Sequence, residues 1–379
     1  MARHCGVSRL ADVSGLDQIG LPVWQAIRPW GRSLSVHQGK GLTPAAARLR
    51  ACMEAIECSH AEAWAPPCRV ARWQDLTPSV RAAGVDDFAV RRGHAGAGTA
   101  MPWASADRIG GGIVRVPVAA VSLDLTVAGP AGVTRSSNGQ GAGFDIDFAS
   151  MKALCEVIER DAVACWLTTT SVFTRSDDEI DLGGVDYAWF RDLAAHCETF
   201  GIAIRAYVLP AVITMPVIAV ELHDASGEAI GHPHAVGTAA HPDREAALQS
   251  ALTEAIQARL TVIAGLRDDL ALTTTDARPP TFGLAIALTA AAGKFRRFDD
   301  GVWAPQGSSS VVARLNDSVT LLAAAGYGQV ARVVLSPAGC PVVTVKMFVP
   351  GLGELHRARR APIASESLRP FNSAFVMPA

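Results

Sequence analysis

The sequence predicts an α/β (α+β) protein. Helical stretches alternate along 379 residues with short apolar runs bounded by turn residues. A repeat is the second observation: Gln38, Gly39, Gly41, Ala47, Ala51, Glu54, Ile56 and Glu57 recur as Gln140, Gly141, Gly143, Ala149, Ala153, Glu156, Ile158 and Glu159. Each copy reads as a glycine loop, a helix start and a Glu-x-x-Glu. Composition is the third, since 49% hydrophobic and 18% charged residues suit a well-buried globular chain.

In chain order, residues 1–35 read as an irregular N-terminal segment. A helix is expected at 43–63, where Thr43 and Pro44 have the chemistry of an N-cap and a first helical position. Segment 66–112 is rich in Ala, Gly, Arg and Pro and reads as a variable insertion. A strand at 114–124 and helices at 147–167 and 185–201 follow. Strands are expected at 203–208, 212–223 and 229–238, the last two split by the turn Asp224-Ala225-Ser226-Gly227. Asp243 opens a helix at 243–264, with Glu245 near the positive end of its dipole. A second variable insertion covers 270–310, then a helix at 310–326. A strand at 342–349 stops at Pro350-Gly351, and the tail beyond 356 has no assignment. The whole chain, 1–379, is expected to be a single domain.

Charge narrows the function. A formal net charge of −2 leaves no basic excess for a nucleic-acid groove. No run of about 18 uncharged apolar residues predicts a membrane helix. The N-terminus lacks an apolar signal core, so a cytoplasmic location is expected. Eight cysteines include no Cys-x-x-Cys, which argues against a zinc site or a disulfide framework. Cys58 follows Glu57 directly, but no histidine partner is evident, so it reads as packing.

The paired glutamates carry the chemistry. Residues three apart share a helix face, so two such helices can bring four carboxylates together. Unpaired carboxylates are costly to bury, and a cluster of them points to a divalent cation. Solvated surface pairs are the plainer alternative. The apolar neighbours Ala51, Met53, Ile56, Leu154, Cys155, Val157 and Ile158 favour the site.

Over these motifs the chain resembles the YcaO family. The matching pieces are SVHQGKGLTPAAARLRACMEAIE, SSNGQGAGFDIDFASMKALCEVIERDA, HPDREAALQSALTEAIQARL with GLRDD, and PVVTVKMFVPGL. They run from about residue 8 to 355. The opening segment is most similar to the branch found with TfuA-type partner proteins. The resemblance implies a YcaO-like fold with duplicated units around a central ATP and Mg2+ cleft. It implies activation of a peptide backbone amide, whose oxygen attacks the γ-phosphate before a thiol, hydroxyl, amine or sulfide adds and phosphate leaves. For the TfuA-linked branch it implies thioamide formation with an external sulfur source; azoline formation is the alternative product. The short ending SAFVMPA lacks the proline-rich tail of azoline formers. Implied partners are a precursor peptide, a TfuA-like or separate leader-binding protein, a possible second YcaO paralog, and a second copy in a homodimer.

Carried over by motif, Glu54, Glu57, Glu156, Glu159 and Glu254 match the family's metal-binding glutamates. Two or more magnesium ions bridging a triphosphate suit that number, since each keeps several waters. Arg160 matches a phosphate contact. Lys40 sits in the GKG match and reads equally as an exposed loop lysine. Gln257, Arg259, Arg267 and Asp268 match the third motif, where salt bridging and ligand contact are both open.

The chain also departs from the pattern. Arg50 stands where the family has serine, Phe144 and Phe148 where it has asparagine and glutamate, Ser250 where it has arginine, and Cys58 where it has arginine. In one reading Arg50 and Ser250 are a reciprocal exchange, and the two phenylalanines stack on a base or fill a vacated pocket. In the other the chain is a degenerate paralog that holds substrate without catalysis. Other classes fare worse. Gly-Ala-Gly-Phe lacks the third glycine of a dinucleotide site, and no Gly-x-Ser-x-Gly elbow appears. His232, His234 and His241 read as loop histidines.

Overall fold

The computed structural model describes residues 2–81, 98–130, 132–133, 135–169, 178–224, 234–265, 296–298 and 310–352. Three sheets each hand a chain segment to a long helix. In the first, β1 (Arg9–Asp12), β2 (Val23–Ile27) and β3 (Val36–Lys40) pair antiparallel in that order. This replaces the irregular run expected over 1–35. Strands of four or five residues leave little periodic signal, and their register is set by pairing (Val23 opposite Lys40) rather than by local sequence.

β3 feeds α1 (Pro44–Ala63). Thr43 caps it by accepting from the Ala46 nitrogen at 3.2 Å, and Pro44 takes the first turn, where a missing N–H costs nothing. The second sheet is antiparallel and six-stranded. Its path is β4 (Arg69–Arg72), β5 (Ala100–Arg108), β13 (Ala331–Val334), β14 (Val343–Phe348) and β7 (Gln140–Gly143), with β6 (Ile113–Pro117) also on β5. The strand expected to reach 124 ends at Pro117, which has no N–H to continue a ladder, and passes into a helical turn, α2 (Val118–Val121). Segment 66–112 thus supplies two strands of this sheet; 82–97 and most of 270–310 lie outside the described residues.

β7 feeds α3 (Ile146–Thr169). A two-stranded parallel pair joins β8 (Ile180–Asp181) and β12 (Arg296–Arg297). After α4 (Ala188–Thr199) the third sheet runs β9 (Ile202–Val208), β10 (Val217–Asp224), β11 (His234–Ala240), all antiparallel. The turn expected between β10 and β11 falls outside the described residues. β11 feeds α5 (Arg244–Ile263), capped by Asp243, which accepts from the nitrogens of Glu245 and Ala246. α6 (Val311–Ala324) is capped by Ser310 in the same way.

The core follows from this layering. Leu154, Ile158 and Trp166 of α3 pack with Tyr207, Val345 and Met347. Leu248, Leu252 and Ile256 of α5 pack with Ile218, Val220 and Leu222 of β10. Each fully buried side chain of this kind stabilises by roughly 1.5–3 kcal/mol.

Of the repeated glycines only Gly41 lies in a connection; the other three lie in strands. Gly39 and Gly141 lie in β3 and β7, pressed onto the helices that follow them. A Cβ on Gly39 would lie 2.1 Å from the Ala51 nitrogen, and one on Gly141 2.4 Å from the Ala149 oxygen. A Cβ on Gly237 in β11 would lie 2.2 Å from the Ala251 oxygen, so a third strand–helix unit is built alike. Its Ala251, Glu254, Ala255 and Ile256 echo Ala51, Glu54, Ala55 and Ile56, a correspondence that reading for two copies overlooks.

Each helix also packs on the next unit's strand: α1 on β7, α3 on β11, α5 on β3. The three units therefore close on one another. Among the described residues no helix is long and apolar enough to cross a membrane.

Candidate ATP and metal site

The closure brings the Glu-x-x-Glu faces of α1 and α3 towards Glu254 of α5. Glu57 and Glu159 are buried, Glu54, Glu156 and Glu254 half-buried. Polar ties cross between units. The Lys40 amine donates to Glu254 at 2.7 Å, Lys152 to Glu57 at 2.9 Å, and the Thr238 hydroxyl to Glu159 at 2.5 Å. Arg160 lies 3.5 Å from Glu156, one helical turn away.

Electrostatics joins the five carboxylates into one neighbourhood. Burial, then the charge of Glu57, pushes Glu54 up to about 7, against Lys152 and Lys40. Burial pushes Glu156 up to about 7; Arg160 opposes the rise and Glu57 adds to it. Glu159 is likewise pushed up to about 7 by burial, with Arg160 opposing and Glu254 contributing. So Glu57 acts across from α1 to α3, and Glu254 from α5 to α3.

Among the described residues no three His, Cys, Asp or Glu side chains converge tightly enough to hold one ion. Magnesium does not need three. It takes one or two carboxylates per ion and completes its shell with waters and phosphate oxygens. An all-oxygen donor set of five carboxylates, three of them pushed up chiefly by burial, fits hard divalent cations. Glu54, Glu57, Glu156, Glu159 and Glu254 are the residues that would hold them.

The remaining candidates divide. Lys40 closes β3, and its side chain is only 18% exposed, so it is not an exposed loop lysine. Arg50 is exposed and donates to the Lys40 carbonyl at 2.9 Å, bracing the residue that grips Glu254. Ser250 sits one turn before Glu254, half-buried. Gln257 donates to Gln38 at 3.2 Å, and Thr261 donates to the same oxygen at 2.6 Å, tying α5 to β3. Arg259 is in a buried ion network with Asp17 and Asp224, a structural role. Arg267 and Asp268 lie outside the described residues, as does His232; His234 pairs with Glu221 and His241 braces Asp243. Cys58 is buried.

Phe144 and Phe148 are 70% and 48% exposed. The expectation that they fill a vacated pocket is thereby corrected: an exposed helix start has no cavity for them to occupy. Lys152 and Thr238 were missed. Lys152 occupies the place in the second repeat that Arg50 holds in the first, a signal available in the sequence. Thr238 had none, because its partner is on another unit.

Comparison with known proteins bears on the family and the fold. A family model described as YcaO cyclodehydratase, ATP- and Mg2+-binding, matches residues 38–353. An uncharacterized protein in the tfuA 3' region of Rhizobium leguminosarum bv. trifolii is 31% identical over 366 residues, covering 92% of this chain and 84% of that protein. An uncharacterized Mycobacterium tuberculosis protein is 31% identical over 279 residues, 70% of this chain and 59% of the relative. The YcaO structure from Methanopyrus kandleri bound with AMPPCP and Mg2+ aligns with a TM-score of 0.71 at 21% identity, over 95% of this chain and 91% of that one. A heterocyclase in complex with substrate and cofactor gives a TM-score of 0.75 at 17% identity; the match covers 92% of this chain and half, 50%, of that one. At such identities these likenesses speak to fold alone. The family match over most of the length, joined to that shared fold, means that the chain belongs to the YcaO family.

Proposed function

We propose that this chain binds ATP with magnesium between α1, α3 and α5 and uses it to phosphorylate a backbone amide oxygen of a precursor peptide. The observation that carries the reading is a single neighbourhood of five glutamates from three helices, three of them pushed up to about 7 chiefly by burial. Magnesium held there would neutralise the phosphates of ATP. The residues' own tasks are simpler. Glu54, Glu57, Glu156, Glu159 and Glu254 offer oxygens, Arg160 offers a guanidinium to a phosphate, and Lys40, braced by Arg50, keeps Glu254 in register.

Thioamide formation with a TfuA-type partner is the favoured version, because the Rhizobium relative lies in a tfuA region. Azoline formation is the alternative. A precursor peptide as substrate is in keeping with a structural neighbour, an Escherichia coli microcin synthetase complex with pro-MccB17 bound. A second reading, a non-catalytic paralog that holds peptide, is favoured by the exposed Phe144 and Phe148 in place of polar family residues.

Calorimetry separates the two. Titration of the protein with ATP and magnesium is expected to give saturable heat, absent in Glu159→Gln. No heat from the wild type at millimolar nucleotide would end the catalytic reading and leave the holder.

A further inference from the structure

Cys340 closes the turn before β14, its nitrogen donating to the Pro337 oxygen at 3.2 Å. Its sulfur is 3.8 Å from Nε2 of His60 on α1. The other ring nitrogen, Nδ1, is 2.8 Å from the hydroxyl of Thr344, a fully buried residue of β14. Thiol, imidazole and hydroxyl are thus lined up as nucleophile, base and orienting group. Burial lowers the His60 pKa, which keeps the ring neutral. In the tautomer with the proton on Nδ1, that N–H donates to Thr344 and Nε2 is left as an acceptor for the thiol. Cys340 is half-buried beside Ile56, Ala142, Val342, Met53 and Cys5, so its sulfur is shielded yet reachable. His60 follows Glu57 by three positions, which makes the two neighbours on one face of α1.

We propose that Cys340, with His60 as its base and Thr344 holding that base, accepts the outer sulfur of a persulfide and stores it beside the carboxylate site. The inference rests on the thioamide reading, which requires sulfur from outside the peptide. In the step, His60 Nε2 takes the Cys340 proton and the thiolate attacks the outer sulfur of R–S–SH. The donor's S–S bond breaks, a new S–S bond forms on Cys340, and the departing RS− recovers a proton from His60. The products are a Cys340 persulfide and RSH, with no net gain or loss of electrons.

The test uses the full chain without ATP or magnesium, so it succeeds or fails independently of nucleotide binding, which calorimetry reads separately. Glutathione persulfide is the probe, and mass spectrometry of the cysteine peptides reads the gain of one sulfur atom. Cys340 should load at least about tenfold faster than the exposed Cys68. His60→Asn should bring it down to the rate of Cys68. Thr344→Val should slow it, and Thr344→Ser, which keeps the hydroxyl, should restore it. Cys340→Ser, the change least able to disturb folding, must abolish the fast-loading species. Loading of Cys340 no faster than Cys68, or an unchanged rate in a folded His60→Asn protein, would overturn the assignment.

Discussion

Glu159 shows most plainly what the site asks of a single side chain. Its carboxyl is pushed from 4.5 up to about 7 by burial, against Arg160 and with help from Glu254. The folded metal-free protein therefore holds a proton that the unfolded chain releases between those two values. The stability this contributes is present below about 4.5 and is lost as pH rises through 7. Metal-free protein should be more resistant to urea near pH 5.5 than at pH 8, a trend that magnesium and ATP should remove. Glu159→Gln should stabilise the metal-free protein at pH 8 by on the order of 2 kcal/mol while abolishing nucleotide binding. A destabilised variant would show that Glu159 is satisfied without a cation.

Arg50 gives a second test at this scale. If it supplies the cation that the family carries at the Ser250 position, Arg50→Ser should weaken ATP binding about tenfold, a loss of roughly 1.4 kcal/mol. Adding Ser250→Arg should recover it, and a double variant no better than the single would end the exchange idea. Four of the five proposed glutamates could be named from the sequence because Glu-x-x-Glu recurs at helical spacing, while Glu254 came only through the family resemblance. Lys152 could not be tied to Glu57, since the two stand 95 residues apart and meet only when α1 and α3 pack.

Among the elements, the glycine-bearing strands decide how near the helices come. At Gly39 a methyl group would have to occupy space 2.1 Å from a backbone nitrogen, which no side-chain adjustment relieves. Gly39→Ala should cost about 1–3 kcal/mol in urea unfolding and weaken nucleotide binding, because α1 would be displaced from β3. Gly184, with nothing within 4 Å of its Cβ position and no positive φ, is the control for crowding. Helices α1 and α5 were legible almost to the residue, since Thr43-Pro44 and Asp243 write their caps into the sequence. The first sheet was not, because its three short strands are specified by one another. The glycines were visible, but their purpose was misread: a loop and a strand pressed on a helix leave the same mark in the sequence.

For the whole molecule, the consequence of the three-unit closure is that no one unit holds the site. Ligand bound between them should stabilise the folded chain as a whole, by about 2.7 kcal/mol at a hundredfold excess over Kd. Thermal melting with ATP and magnesium together should show one upward-shifted transition, and either component alone should shift it less. The direct measurement is affinity cleavage, with Fe2+ taking the place of Mg2+ in the presence of AMPPCP, ascorbate and peroxide. The account predicts backbone cuts in all three helices at once, near residues 54–57, 156–159 and 254, and their loss when excess Mg2+ is added. Cuts confined to one helix, or none above the nucleotide-free control, would contradict it.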